Sequence, residues 1–144
     1  MAASPVDDPP AQFAAVSARL YAASEPSRAR DLATWALTRP APLLVLTGTR
    51  IAQDAAMALI EVGQPEPARA ALKRGLSLLG AADGTEDGIR LELMVEMQRA
   101  SPDRRVIGAI RQVVERMLAA IPTAAVDRFR ARPVIREALA RREA

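Results

Sequence analysis

The sequence contains no cysteine and no histidine, and its 144 residues include only one Trp, one Tyr and two Phe. The missing cysteines exclude disulfides, thiol nucleophiles and iron–sulfur clusters, and the missing histidines exclude Cys/His zinc sites and Ser–His–Asp triads. The longest apolar run, Leu43 to Leu46, is far shorter than the roughly 20 residues of a membrane span. A core with so few aromatic residues must be built mainly from Ala, Leu, Val, Ile and Met.

What remains is ordinary globular composition, with 50% hydrophobic and 26% charged residues. The net charge is only +3, but the segment from Arg99 to the end carries eleven cations and five anions. Residues 1–8 are acidic and proline-rich and lack the basic and apolar regions of a secretory signal. We therefore expect a cytoplasmic protein with a disordered tail over residues 1–8.

Prolines and glycines divide the rest of the chain into about seven helical segments. Pro26 stands where a helix can begin without losing a hydrogen bond, and the spacing predicts a helix from Pro26 to Thr38. Gly63 and Gly80 follow apolar helical patterns and are typical residues for ending a helix. The run from Leu43 to Leu46 is the one strand candidate, and we interpret it as helical. The sequence therefore predicts an all-α fold.

Three helical hairpins can be superimposed on one another with an offset of 39 residues. Equivalent positions carry apolar or small residues in the first helix, a turn residue, and small or apolar residues in the second helix. The aligned sets are Phe13, Ala52 and Leu91; Val16, Ala55 and Met94; Leu20, Leu59 and Gln98; Ser24, Gly63 and Pro102; Ala29, Ala68 and Ile107; and Ala36, Gly75 and Val114. Small residues let two helices approach closely, and we expect the larger apolar residues to fill the seam between them.

The segment from Leu59 to Leu76 resembles the core of a tetratricopeptide repeat. The family's order of apolar, Gly, Ala, large apolar and small residues is matched by Leu59, Gly63, Ala68, Leu72 and Gly75. The resemblance implies three stacked hairpins over residues 9–122, with residues 123–144 as a capping or basic helical segment. A helical bundle without repeats remains the alternative fold.

By this resemblance, the first helix of each hairpin would line a groove for a partner protein or peptide segment. Ala14 and Ala18 would lie on the same inner side in the first hairpin. Apolar side chains would anchor the partner, and guanidinium groups would pair with its carboxylates. The predicted partner-binding residues are Tyr21, Arg50, Gln53, Met57, Ile60, Glu92, Glu96 and Arg99. The chain could also form a homodimer, for which the apolar face of the helix that follows Pro102 is the candidate surface.

The alternative partner is nucleic acid, which would bind the basic C-terminal third. The residues of this alternative basic surface are Arg104, Arg105, Arg111, Arg128, Arg130 and Arg132. Aromatic residues for base stacking do not accompany them, so we favour a protein partner over nucleic acid. The segment after Pro102 is also amphipathic enough for a membrane surface, but an apolar stripe is equally typical of packing against protein, which we favour.

We expect no enzymatic activity, cofactor or metal. No His or Cys is present to activate a serine. Glu92 and Glu96 lie one helical turn apart, but the arginines beside them favour a charge-paired surface over a metal site. The segment from Thr47 to Arg50 lacks the glycine spacing and the lysine of a phosphate-binding loop.

Overall fold

A computed structural model describes residues 10–40, 42–80 and 86–142 of the chain. The predicted tail over residues 1–8 lies outside the described residues. Over the described part the chain forms eight α-helices and no strand, so the predicted all-α class is confirmed. The helices are α1 (Ala11–Tyr21), α2 (Pro26–Thr38), α3 (Val45–Glu61), α4 (Pro65–Leu79), α5 (Asp87–Ala100), α6 (Arg104–Ala120), α7 (Val126–Arg130) and α8 (Pro133–Arg142).

Several helix ends lie where the sequence places them. Helix α2 runs from Pro26 to Thr38, and Pro133 separates α7 from α8. Gly63 has a φ of 79°. The next amide, of Gln64, donates to the Leu59 carbonyl at 2.8 Å, and the Gly63 amide donates to the Ile60 carbonyl at 3.1 Å. These two hydrogen bonds satisfy carbonyl groups that have no intrahelical partner at the end of α3. The left-handed backbone conformation of Gly63 makes both bonds possible.

The chain divides into two compact units, Met1–Leu78 and Leu79–Ala144. In the first unit α1, α2 and α3 all contact one another. The helices approach closely because the buried positions are small: Ala14, Ala15 and Ala18 of α1 have no exposed surface. Arg74 of α4 donates to the carbonyl oxygens of Leu37 and Arg39 at 2.5 and 3.3 Å. It therefore satisfies backbone acceptors at the C-terminal end of α2.

In the second unit α5, α6 and α8 contact one another, and α7 contacts α8. The turn between α5 and α6 is fixed by side chains. The Asp103 carboxylate accepts the Arg105 amide at 2.8 Å, and the Gln98 side chain accepts the Asp103 amide at 2.6 Å. Ile110, Val114 and Ile135 supply fully buried apolar side chains.

Candidate partner-binding site

The first helix turns its small residues inward and its large apolar residues outward. Phe13 is 67% exposed, Val16 45% and Leu20 75%. Their spacing of three and four residues places them on one side of α1, which we call the outer face of α1. The expectation that these three side chains fill the seam of the first hairpin is therefore wrong. The seam is narrow because alanines line it, and it has no room for a Phe or a Leu.

The equivalent positions of the second hairpin are covered. Ala52, Ala55 and Leu59 lie 39 residues after Phe13, Val16 and Leu20, and each is no more than 2% exposed. They belong to α3, which packs against both α1 and α2. Ala52, Ala55 and Leu59 are thus buried, whereas the residues 39 positions earlier are exposed in the part of the chain that the structure describes. The outer face of α1 is therefore an exposed apolar surface among the residues that the structure describes.

A second group of exposed apolar side chains lies at the start of α3. Leu43 is fully exposed and Leu44 is 72% exposed. They lie at the same end of the first unit as the start of α1, since Ala11 lines one small cavity together with Pro42 and Gly48. The run from Leu43 to Leu46 is helical only from Val45 onward. Its exposed leucines form a second apolar patch of the first unit.

The residues predicted to line a groove in the first unit are only partly accessible. Ala14 and Ala18 are fully buried and offer nothing to a partner. Tyr21 is half-buried, and the Arg28 guanidinium lies 4.0 Å from its ring centre.

On α3, Arg50 is exposed and donates to Gln53 at 2.5 Å, and Gln53 is only 8% exposed. Met57 and Ile60 are half-buried. The groove residues of this unit with surface that a partner could reach are therefore Tyr21, Arg50, Met57 and Ile60.

One predicted residue of α5, Arg99, pairs with the last described helix, α8. Arg99 donates to both carboxylate oxygens of Glu137 on α8, at 2.8 Å for the Nε contact, and to Glu96 at 2.5 Å. The hydrogen bond to Glu137 raises the pKa of Arg99 above its ordinary value; partial burial opposes this shift, and the charges of Glu96 and Glu137 support it. Glu96 is 8% exposed, whereas Glu92 is half-buried. Helix α8 therefore takes the place on α5 that the groove prediction gives to a partner.

The alternative basic surface is divided along the chain. All six of its arginines are exposed. Arg104 and Arg105 begin α6, whereas Arg128, Arg130 and Arg132 follow its other end. A helix of 17 residues separates its two ends by about 24 Å. Arg104, Arg105 and Arg111 thus lie on α6, whereas Arg128, Arg130 and Arg132 lie beyond its end, so the six do not form one stripe along a single helix.

Two further observations concern other classes of function. Within the residues that the structure describes, no group of three or more Asp and Glu side chains could hold a metal ion. None of the described helices is both long enough and apolar enough to cross a membrane.

Comparison of the chain with family models, curated proteins and solved structures gives no match. The resemblance to tetratricopeptide repeats consequently stays a prediction from the sequence. The site has to be interpreted from its own geometry, and the feature that this geometry singles out is the outer face of α1.

Proposed function

We propose that this chain is a non-catalytic, cytoplasmic protein–protein interaction module that binds a helical segment of a partner on the outer face of α1. An adaptor, an assembly factor or a secretion-type chaperone would each use such a module. The observation that carries the proposal is the exposure of Phe13, Val16 and Leu20, whereas Ala52, Ala55 and Leu59, which follow them by 39 residues, are buried. An exposed cluster of large apolar side chains is typical of an interaction surface.

The shape of the surface favours a helix as the partner element. The outer face of α1 extends over the eight residues from Phe13 to Leu20, which corresponds to about 10 Å along the helix axis. A ridge of side chains at this spacing packs well into the grooves of another helix. A second copy of the chain, pairing its own α1, is the homodimeric form of the same proposal.

The exposed area is large enough to matter for affinity. Complete burial of a Phe or Leu side chain contributes about 1.5–3 kcal/mol. Two-thirds of Phe13 and three-quarters of Leu20 are still exposed, so covering both would contribute about 2–4 kcal/mol. Removing both anchors should therefore weaken binding by about thirtyfold or more.

The test is affinity purification from the native cell with charge-matched variants. The double variant Phe13→Glu, Leu20→Glu disrupts the outer face of α1. The control Ser27→Glu, Thr34→Glu adds the same charge at the same spacing on exposed positions of α2. Circular dichroism should show that both variants keep the helical content of the wild type.

We expect one protein, or a second copy of the chain, to be recovered with the wild type and the control and lost with the outer-face variant. Retention by the outer-face variant would contradict the proposal. Loss with Arg50→Glu, Met57→Glu alone would place the partner in the predicted groove instead. Loss after nuclease treatment would favour the alternative basic surface.

A further inference from the structure

The second unit contains a cavity that the proposed partner binding does not use. It has a volume of about 610 Å³ and lies between the start of α5, the second half of α6 and α7. Its apolar wall includes Met117, Ile121 and Phe129. The volume is within the range of roughly 300–1,000 Å³ that is typical of small-molecule sites, and the apolar wall is typical as well.

The charges around this cavity are unbalanced. Asp87 is buried and accepts two hydrogen bonds from Arg116, at 2.7 Å from Nε and 2.6 Å from Nη2. This pairing neutralises Arg116. Arg128 and Arg132 also line the cavity and are exposed. No ion pair or side-chain hydrogen bond joins either of them to the described part of the chain, so two of the arginines that line the cavity have no carboxylate partner there.

An apolar cavity beside arginines without carboxylate partners suits a ligand with an anionic head group and a hydrocarbon chain. The chain would contact the apolar wall, and the head group would pair with the arginines. A guanidinium group pairs with a carboxylate through two parallel hydrogen bonds, which fixes the head group. We propose that this cavity binds an aliphatic carboxylate of medium chain length, with its chain against Met117, Ile121 and Phe129 and its head group at Arg128 and Arg132. This site is independent of the outer face of α1.

Gly88 offers a way to close the cavity without disturbing the fold. It lies in the first turn of α5 and lines the cavity, and a Cβ atom added to it would meet nothing within 4 Å. Gly88→Leu should therefore fill part of the cavity while improving the helical propensity of the first turn.

The experiment is isothermal titration calorimetry of the full chain with dodecanoate, below its critical micelle concentration. The head-group variant is Arg128→Gln, Arg132→Gln. The control is Arg130→Gln, Arg136→Gln, which removes the same charge from exposed positions that do not line the cavity. 1-Dodecanol serves as the uncharged probe of the same chain length, and thermal unfolding shows whether each variant is folded.

We expect one dodecanoate to bind per wild-type chain. The affinity should be at least tenfold lower for the head-group variant and for Gly88→Leu, and it should change by less than twofold for the control variant. 1-Dodecanol should bind at least tenfold more weakly than dodecanoate. Absence of binding to the wild type would overturn the proposal. The proposal would also be overturned if the control variant lost as much affinity as the head-group variant, or if 1-dodecanol bound as tightly as dodecanoate. It would be overturned as well if Gly88→Leu left the affinity unchanged. Each of these results would assign the binding to something other than this cavity and its two arginines.

Discussion

The orientation of α1 can be tested by comparing two neighbouring substitutions, Ala18→Leu and Leu20→Gln. Ala18 has no exposed surface, so a leucine there must be forced between tightly packed helices. Overpacking of this kind costs about 1–3 kcal/mol. Leu20 is 75% exposed, so Leu20→Gln loses only the covered quarter of the side chain. A quarter of the 1.5–3 kcal/mol for a fully buried leucine is about 0.4–0.8 kcal/mol, and glutamine has nearly the same helix propensity.

The assay is urea unfolding followed by tryptophan fluorescence. The single tryptophan, Trp35, lies on α2 and is half-buried, so its emission follows the unit that contains α1. With a slope of about 2 kcal/mol per molar urea, Ala18→Leu should lower the midpoint by roughly 0.5–1.5 M and Leu20→Gln by roughly 0.2–0.4 M. Measurements at two protein concentrations separate folding stability from self-association. A loss for Leu20→Gln equal to or larger than that for Ala18→Leu would refute the orientation of α1.

Two glycine substitutions and one double-mutant cycle test the packing of other helices. Gly108 lies inside α6, and a Cβ there would meet nothing within 4 Å, so Gly108→Ala should raise the free energy of unfolding by about 0.5–1 kcal/mol. Gly48→Ala should gain less in urea unfolding than Gly108→Ala, because its Cβ would lie 3.1 Å from a methyl group of Leu78; an equal gain would contradict the close packing there. A double-mutant cycle of Arg99→Gln and Glu137→Gln, measured by urea unfolding, should give a coupling free energy of roughly 0.5–1 kcal/mol. A coupling free energy of zero would mean that this partly exposed pair does not hold α8 to α5.

The parts of the fold that the sequence predicts are those set by single residues. Proline cannot donate a backbone hydrogen bond, and glycine adopts left-handed backbone at no steric cost. Pro26, Gly63 and Pro133 therefore mark helix ends whatever the rest of the fold does, and each lies at or beside a helix end in the structure.

The side that α1 buries could not be predicted in the same way. The helix is apolar on two sides, with alanines on one and larger residues on the other. Hydrophobic spacing favours the side with Phe13, Val16 and Leu20 for the core. The structure buries the alanine side because helices with alanines in contact approach more closely.

Features made by distant parts of the chain were also beyond the sequence. Arg99 and Glu137 are 38 residues apart, and no local pattern relates α8 to the side of α5 that it covers. The cavity beside Arg128 and Arg132 forms where the ends of three helices meet. The arginines themselves belong to the alternative basic surface that the sequence predicts. Because they lie beside an apolar wall, we interpret these two arginines as a site for a carboxylate head group rather than as part of a nucleic-acid surface.

The most direct test of the central claim is site-specific photo-crosslinking inside the native cell. A benzophenone amino acid replaces Leu20 on the outer face of α1 in one variant and Thr34 on the exposed side of α2 in the other. We expect irradiation at position 20 to give a single predominant adduct, with a partner protein or a second copy of the chain, and irradiation at position 34 to give none. Adducts of equal yield at both positions, or none at position 20, would contradict the proposal that the outer face of α1 is the binding surface.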